Sequence, residues 1–178
     1  MNTLRVNSRV FRVNRLLGKG KGGYSYLVSD ESGQYVLKQI HHEPCSYYTF
    51  GDKLAAELGD YQRLSQAQVL MPVMLDVDRE QERILKEFIP GPTVYDLVRQ
   101  DALDGKYITM ARTLALDLEQ KGLNIDYFPT NFVIKEGKLY YVDYECNAFD
   151  PKWSFDNWGI AYWSKTEALL AYEKEKES

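Results

Sequence analysis

Five groups of residues with chemically useful side chains or backbone follow one another along the chain. They are a glycine-rich run, a strand lysine, a helix glutamate, a carboxylate–amide pair and a strand-end aspartate: residues 18–23, Lys38, Glu57, Asp126 with Asn131, and Asp143. Glycine backbone and lysine can hold phosphates, and amide and carboxylate oxygens are hard ligands for Mg²⁺. Each signal is weak alone. Their order and spacing together predict a site that holds Mg-ATP and transfers its terminal phosphoryl group.

The glycine-rich run contains Gly18, Gly20, Gly22 and Gly23 and lies between two stretches that read as strands. A dinucleotide-binding fingerprint would need a helix after the run. Residues 24–28 instead alternate as a strand does, so the context excludes that interpretation. In a strand–strand turn, glycine lets backbone N–H groups close over phosphates. Taken alone, the run is also explained by a flexible hairpin.

Lys38 lies on an apolar strand and shares a face with Val36 and Ile40. A lysine on a buried face needs an anionic partner, because an unpaired buried charge is costly. Glu57, 19 residues later in a helix of leucines and alanines, could supply that partner, as could ATP phosphates. The alternatives are a solvated edge-strand lysine and a solvated helix glutamate.

Asp126 and Asn131 lie five residues apart in a loop that follows a long helix and precedes an apolar strand. The spacing alone is weak evidence, but the context strengthens it. Asp126 could accept the proton of a substrate hydroxyl or orient that hydroxyl. Asn131 could bind Mg²⁺ through its side-chain oxygen. Asp143 ends the strand that follows in the same hairpin and could bind the same metal. Glu145 is an additional candidate ligand. Asp143 could instead be an ordinary turn residue.

The pattern of elements predicts an α+β fold with a five-stranded N-terminal part plus a helix and a mainly helical C-terminal part. The predicted strands are residues 9–13, 24–28, 34–40, 73–77 and 83–88, followed by a hairpin of residues 131–135 and 138–143. Helices are predicted from Asp52 to about Leu64, after Thr93, over residues 107–121 and from Asp156 onward. The first of these helices has an apolar face formed by Leu54, Leu58, Tyr61 and Leu64. Pro90-Gly91-Pro92 is the best linker candidate.

Composition narrows the class of protein. Net charge is −4 without a basic stripe, so direct nucleic-acid binding is not expected. The sequence shows no signal-peptide pattern and no apolar run of membrane-spanning length, so we expect a cytoplasmic protein without a membrane partner. Cys45 and Cys146 fit a reducing compartment and neither has metal-ligand spacing.

Together these residues resemble the protein-kinase-like superfamily. Lys38 resembles its phosphate-holding lysine, Glu57 the helix partner, Asp126 and Asn131 the catalytic-loop pair, and Asp143 the metal-binding aspartate. The segment 85–91 is similar to the inter-lobe hinge. The resemblance implies a single two-lobed domain, with an N-lobe of about residues 1–88, a hinge of about 87–92 and a reduced C-lobe of about 93–178. It also implies adenine contacts from the backbone of Glu87 and Ile89.

The run from Asp126 to Asn131 is similar to the Asp-x-x-Pro-x-Asn run of RIO-type kinases, aminoglycoside phosphotransferases and lipopolysaccharide-core kinases. Residues 142–145 resemble their acidic variant of the Asp-Phe-Gly motif. Asn124 and Ile125 depart from the usual histidine and arginine, and no Ala-Pro-Glu motif follows Asp143. These departures weigh against phosphorylation of peptides and against control by a phosphorylated activation loop.

The resemblance therefore implies an ATP-dependent phosphotransferase that uses Mg²⁺ and acts on a hydroxyl. The acceptor would be Ser/Thr of a protein or a small molecule, which the sequence does not identify. A second hypothesis is a nucleotide-binding, pseudokinase-like module that regulates a partner protein. A third is a structural domain whose chemistry has decayed.

Overall fold

The computed structural model of the chain describes residues 2–44 and 51–178. Cys45 lies outside the described residues. The chain forms two compact units. The first comprises Met1–Gly59 and Pro72–Phe88, and the second comprises Asp60–Met71 and Ile89–Ser178.

The first unit is built on an antiparallel sheet of six strands in the order β1-β2-β3-β4-β6-β5. The strands are β1 Thr3–Val6, β2 Arg9–Lys19, β3 Gly23–Asp30, β4 Gly33–Ile40, β5 Met74–Asp78 and β6 Arg83–Glu87. The sequence predicted five strands, and the additional one is β1. Its four residues are too few to show an alternating pattern, and it is stabilised by pairing with β2, from Thr3 opposite Arg12 to Val6 opposite Arg9.

Successive strand residues point to opposite faces of this sheet, and both faces contain buried side chains. On one face, Leu37 and Leu85 are buried with Phe11. On the other, Ile40 and Ile84 are buried against Leu54 of helix α1, Lys53–Gln66. The predicted apolar face of this helix is confirmed for the first unit.

The second unit combines helices with two small two-stranded sheets. Its elements are α2 Val94–Arg99, α3 Gly105–Gln120, β7 Leu123–Ile125, β8 Phe132–Lys135, β9 Lys138–Tyr141, β10 Cys146–Ala148 and α4 Glu167–Glu177. β8 pairs with β9 and β7 with β10, both antiparallel. Fully buried aromatic side chains dominate its core: Tyr127, Phe132, Tyr141, Phe155 and Trp163.

Several predicted boundaries are confirmed by their local chemistry. The Thr93 side chain accepts a hydrogen bond from the Asp96 N–H and caps α2. Helix α3 ends just before Gly122, and β8 and β9 are joined through Glu136 and Gly137. Within the described residues, none of the helices has both the length and the apolar character needed to cross a membrane.

The predicted terminal helix is confirmed, but its predicted start at Asp156 is wrong. The last helix begins at Glu167, after Thr166 caps it through a bond from the Leu169 N–H. Asp156 instead accepts a bond from the Arg112 guanidinium at 2.8 Å. Between Asp156 and Thr166, Gly159–Tyr162 form a short 3₁₀ turn, which lets Trp163 enter the core.

The predicted linker, Pro90-Gly91-Pro92, is packed within the second unit. The Ile134 N–H donates to the Pro92 carbonyl at 3.0 Å. A Cβ at Gly91 would collide with the Ile134 carbonyl oxygen, and Gly91 has a φ of 155°. Glycine is therefore required here by a close approach of two backbones, rather than by the need for a flexible joint.

Candidate functional site

The turn formed by the glycine-rich run contains fewer residues than the sequence suggested. Gly18 already belongs to β2, where it pairs with Ser25 of β3. The turn itself is closed by a hydrogen bond from the Gly20 N–H to the Gly23 carbonyl at 2.9 Å. The predicted phosphate-holding segment is thus the tip of a β-hairpin.

The four glycines differ in how tightly they are packed. A Cβ at Gly23 would collide with the Gln39 carbonyl oxygen, so only glycine fits at the start of β3. Gly18 and Gly20 have open space around the same position. A Cβ at Gly22 would lie 3.8 Å from the Lys38 Nζ, so the turn lies beside that lysine. Packing within the first unit therefore explains Gly23 and leaves Gly18 and Gly20 without a structural requirement.

Lys38 and Glu57 form the ion pair that the sequence suggested. The Lys38 Nζ lies 2.8 Å from one carboxylate oxygen of Glu57 and donates to the other at 3.0 Å. The two side chains are only 15% and 10% exposed. β4 presents Lys38 on the face shared with Ile40, and α1 covers that face. An apolar strand and an amphipathic helix thus place opposite charges together in a largely dry environment.

A second lysine, which sequence reasoning missed, holds the glycine turn. Lys53, the first residue of α1, is 7% exposed, and its Nζ donates to the carbonyls of Lys21 and His41. The His41 Nε2 lies 2.9 Å from the Gly20 carbonyl oxygen. The sequence signal was present: Lys53 precedes Glu57 by four residues, so both lie on one face of the helix.

In the second unit, Asp126 and Asn131 are connected through a tight loop. Asp126 follows β7, and its Oδ1 accepts a bond from the Phe128 N–H at 3.0 Å. The Asn131 Nδ2 donates to the Asp126 carbonyl at 3.3 Å. This bond leaves the Asn131 Oδ1, a hard oxygen donor, as the atom that could bind a cation.

Asp143 is brought next to Asn131 by the backbone. The Val142 N–H donates to the Asn131 carbonyl at 2.9 Å, so the strand-end aspartate follows immediately. The Asp143 Oδ1 accepts a bond from the Tyr144 N–H at 2.8 Å. The structure therefore brings together the three site residues that the sequence predicted in this unit.

Tyr141 is a further part of this site that the sequence did not reveal. Its fully buried side chain donates from the hydroxyl to the Glu145 carbonyl at 2.7 Å. The same hydroxyl lies 3.4 Å from the Asp126 N–H, which donates to it weakly. Tyr141 thus connects the loop that begins at Asp126 with the segment that follows Asp143.

The end of α1 fixes the segment after Asp143 within the second unit. The Cys146 N–H donates to Asp60, and Arg63 donates to the Cys146 carbonyl at 2.7 Å. The rings of Tyr61 and Tyr144 lie 4.8 Å apart. The sequence predicted Tyr61 only as part of an apolar face, because contacts with distant backbone groups leave no periodic pattern.

Three acidic residues of this unit, Asp126, Asp143 and Glu145, lie close enough to influence one another's charge. Burial raises the pKa of Asp126, and the charges of Glu145 and Asp143 raise it further, while the bond from the Phe128 N–H opposes this shift. A nearby cation would relieve this repulsion.

The residues present fit a Mg²⁺ that is shared with a ligand. The described residues hold no group of three or more His, Cys, Asp or Glu that could bind a metal by themselves. Mg²⁺ is commonly held by one or two protein oxygens and completed by water and substrate phosphates. The Asn131 and Asp143 oxygens match that incomplete set.

Glu87 and Ile89 were predicted to contact adenine through their backbone. The Glu87 N–H, at the end of β6, donates to the Val73 carbonyl at 2.9 Å, so it is occupied within the first unit. Ile89 is 4% exposed. The structure shows no feature that marks either residue as a nucleotide contact, and their role stays a prediction.

Comparison with known proteins adds one finding. No family model matches the chain. Over 117 residues, the chain is 29% identical to the serine/threonine-protein kinase ppk13 of Schizosaccharomyces pombe. The match covers 61% of this chain and 33% of that protein, so the chain spans about a third of its relative's length. This weak similarity indicates a kinase-like relationship and does not single out a branch.

Proposed function

We propose that the protein is an ATP-dependent phosphotransferase of the kinase-like type, with a two-lobed kinase-like fold, which transfers the γ-phosphoryl group to a hydroxyl. The observation that carries the proposal is the buried Lys38–Glu57 ion pair beside a glycine turn. An ammonium group and the backbone N–H groups of a glycine turn are both suitable donors to phosphate oxygens. The similarity to a serine/threonine-protein kinase supports this proposal.

In the first unit, we assign phosphate binding to Lys38 and to the backbone of the turn containing Gly18, Gly20, Gly22 and Gly23. Glu57 orients the lysine through the ion pair at 2.8 Å. Phosphoryl transfer needs little covalent chemistry from a protein, so correct placement of the phosphates accounts for much of the rate.

In the second unit, we assign the metal to the Asn131 Oδ1 and the Asp143 carboxylate, with Glu145 in reserve. Bound Mg²⁺ would neutralise charge on the phosphates. Asp126 orients the acceptor hydroxyl and accepts its proton. Its raised pKa makes this carboxylate a better proton acceptor than an ordinary aspartate.

For the acceptor, we favour a serine or threonine hydroxyl of a protein over a small molecule. The support is the similarity to the fission-yeast serine/threonine-protein kinase. We also propose that the backbone of Glu87 and Ile89 contacts adenine. At Glu87 the contact is assigned to the carbonyl, because the N–H donates to the Val73 carbonyl.

The test is ADP release from Mg-ATP by wild-type protein and by Asp126→Ala, with and without a mixture of dephosphorylated proteins as acceptors. We expect turnover that the acceptors increase and that Asp126→Ala abolishes. Asp117→Ala, which changes an exposed acid on α3, is the matched control and should retain turnover. Protein that binds Mg-ATP but shows no turnover in any condition would contradict the proposal and favour a nucleotide-binding module that regulates a partner.

A further inference from the structure

The ring of Phe128, two residues after Asp126, packs within a group of aromatic side chains in the second unit. Its centroid lies 4.7 Å from that of Tyr172 on α4, 5.1 Å from that of Tyr162 and 6.3 Å from that of Tyr95 on α2. The Tyr95 and Tyr172 rings also meet edge-on, with centroids 6.4 Å apart. Ring pairs at such separations attract one another. The loop that begins at Asp126 is therefore in contact with helix α4.

Helix α4 is attached to the second unit along one face. Leu169, Tyr172 and Glu173 are three and four positions apart, so they lie on the same side of the helix. Leu169 is fully buried. The Tyr95 hydroxyl donates to the Glu173 carboxylate at 3.2 Å, and the Arg99 Nε lies 3.1 Å from the same oxygen. These contacts with α2 fix the helix and thereby the position of the Tyr172 ring.

Phe128 is confined both by its ring and by its backbone. The aromatic group holds the ring, and the residue before a proline is restricted to extended conformations. Phe128 precedes the buried Pro129 and has a φ of −63° and a ψ of 134°. Its N–H donates to the Asp126 Oδ1 at 3.0 Å. Because the backbone of Phe128 sets the direction of this N–H, the contacts of the ring influence the placement of the Asp126 carboxylate.

Phe128 and Tyr172 lie at the edge of the unit rather than in its buried core. Both side chains are partly exposed, whereas Phe132 and Trp163 are at most 1% exposed. Removing the Tyr172 ring should therefore cost less stability than removing a core ring, because less apolar surface returns to water. A role of Tyr172 in placing the loop can thus be separated from a role in folding.

We propose that Tyr172 is a positioning residue for the phosphoryl transfer proposed above. Its ring holds Phe128, and the Phe128 N–H holds the Asp126 carboxylate in place for the acceptor hydroxyl. The inference rests on the proposed function, since it gives α4 a role at the same carboxylate. It extends the residues that control the reaction beyond those assigned to phosphate, metal and acceptor.

Steady-state kinetics of ADP release, with dephosphorylated proteins as acceptors, test this role. Tyr172→Ala should lower kcat about tenfold and leave the KM for ATP unchanged, because a small displacement of a reacting group is costly. Tyr172→Phe retains the ring and should retain kcat. Leu170→Ala, which changes an exposed residue of the same helix, is the matched control. An equal kcat for Tyr172→Ala and Leu170→Ala, or a fall in kcat that Tyr172→Phe shares, would overturn the proposal.

Hydrogen exchange measured by NMR gives a second readout that does not need turnover. The Phe128 amide should exchange about tenfold faster in Tyr172→Ala than in Leu170→Ala, because its hydrogen bond opens more often. The Ile134 amide, which donates to the Pro92 carbonyl, should exchange at the same rate in both variants. Equal acceleration of the two amides would show a general loss of stability and contradict the proposal.

The two readouts separate this inference from the proposed function. If wild type turns over but Tyr172→Ala changes neither kcat nor exchange at Phe128, the inference fails and the proposed function stands. If wild type shows no turnover, the proposed function fails. Faster exchange at Phe128 in Tyr172→Ala would then still support the contact between α4 and the loop, whereas unchanged exchange would overturn it.

A second variant tests the same contact should Tyr172→Ala misfold. Glu173→Ala removes the attachment of α4 to Tyr95 and Arg99 without changing a ring. It should lower kcat and speed exchange of the Phe128 amide, by less than Tyr172→Ala would. Wild-type values of both quantities in Glu173→Ala would contradict the proposal.

Discussion

One charged cluster in the first unit and one in the second differ in the signs of the charges that they bring together. In the first, Lys38 and Glu57 bring opposite charges within 2.8 Å in a largely buried pair. In the second, Asp126 is half-buried near Asp143 and Glu145, and these like charges raise its pKa beyond the effect of burial. The first arrangement pairs opposite charges, whereas the second places like charges near one another.

A second acid of the first unit also lies beside a positive charge. Bonds from Ser32 and Arg9 lower the pKa of Asp30 to about 2. At Asp126, by contrast, a bound cation would offset the like charges of Glu145 and Asp143. Under the proposed function, this cation is the Mg²⁺ of ATP.

The largest expected effect comes from removing the charge of Asp126. Asp126→Asn keeps an oxygen that can accept the Phe128 N–H but removes the proton acceptor. We expect kcat for ADP release to fall by about 10²-fold to 10⁴-fold. Stability near neutral pH should not decrease, because one of the crowded charges is gone. Asp117→Asn is the control, and a kcat within about threefold of wild type for Asp126→Asn would refute the assigned role.

The next largest effect is expected from a substitution that breaks the Lys38–Glu57 pair. Lys38→Met leaves the Glu57 carboxylate buried without its partner, so the free energy of unfolding should fall by about 3 kcal/mol. The double variant Lys38→Met/Glu57→Leu should recover most of that loss, since neither charge of the pair remains. Urea unfolding of wild type, both single variants and the double variant gives the coupling energy. Strictly additive effects would show that the pair does not act as a unit.

A smaller effect is expected at Tyr141. Tyr141→Phe removes the donor to the Glu145 carbonyl and should lower the free energy of unfolding by about 1 kcal/mol. Under the proposed function, kcat should also fall, because the hydroxyl connects the two acidic loops. Tyr140→Phe, at the adjacent and partly exposed position, is the matched control. Equal stability of the two variants would contradict a role for the Tyr141 hydroxyl.

The smallest effect is a pH dependence at Asp30. Its pKa is lowered from 3.8 to about 2 in the folded protein, so its contribution to stability is fully present above pH 3.8. That contribution is lost as the pH falls through about 2. The stability difference between wild type and Asp30→Asn should therefore shrink on acidification across this window. A difference that does not change with pH would count against the bond with Ser32 and Arg9.

The Lys38–Glu57 pair was predictable because it follows from two periodic patterns, strand alternation and a helix face. The Thr93 cap and the Glu136-Gly137 hairpin turn were predictable for a similar reason, since each depends on neighbouring residues. Sequence reasoning could therefore place Lys38 and Glu57 on their strand and helix, although it missed Lys53.

Contacts between residues distant in sequence were not predictable. β1, β7 and β10 have three or four residues each, too few for a periodic signal. The bond from Tyr141 to Glu145 depends on tertiary packing, and nothing local distinguished Tyr141 from Tyr140. Asp156 looked like a helix cap, but the long-range bond from Arg112 uses its side chain.

The central proposal is that Asn131 and Asp143 of the second unit hold the Mg²⁺ of bound ATP. Calorimetric titration of ATP into wild type and Asp143→Asn, in Mg²⁺ and in EDTA, tests it most directly. We predict that Mg²⁺ tightens ATP binding to wild type by about tenfold or more and that Asp143→Asn loses most of this gain. Binding that is equally tight with and without Mg²⁺, or a gain that Asp143→Asn retains in full, would contradict the claim.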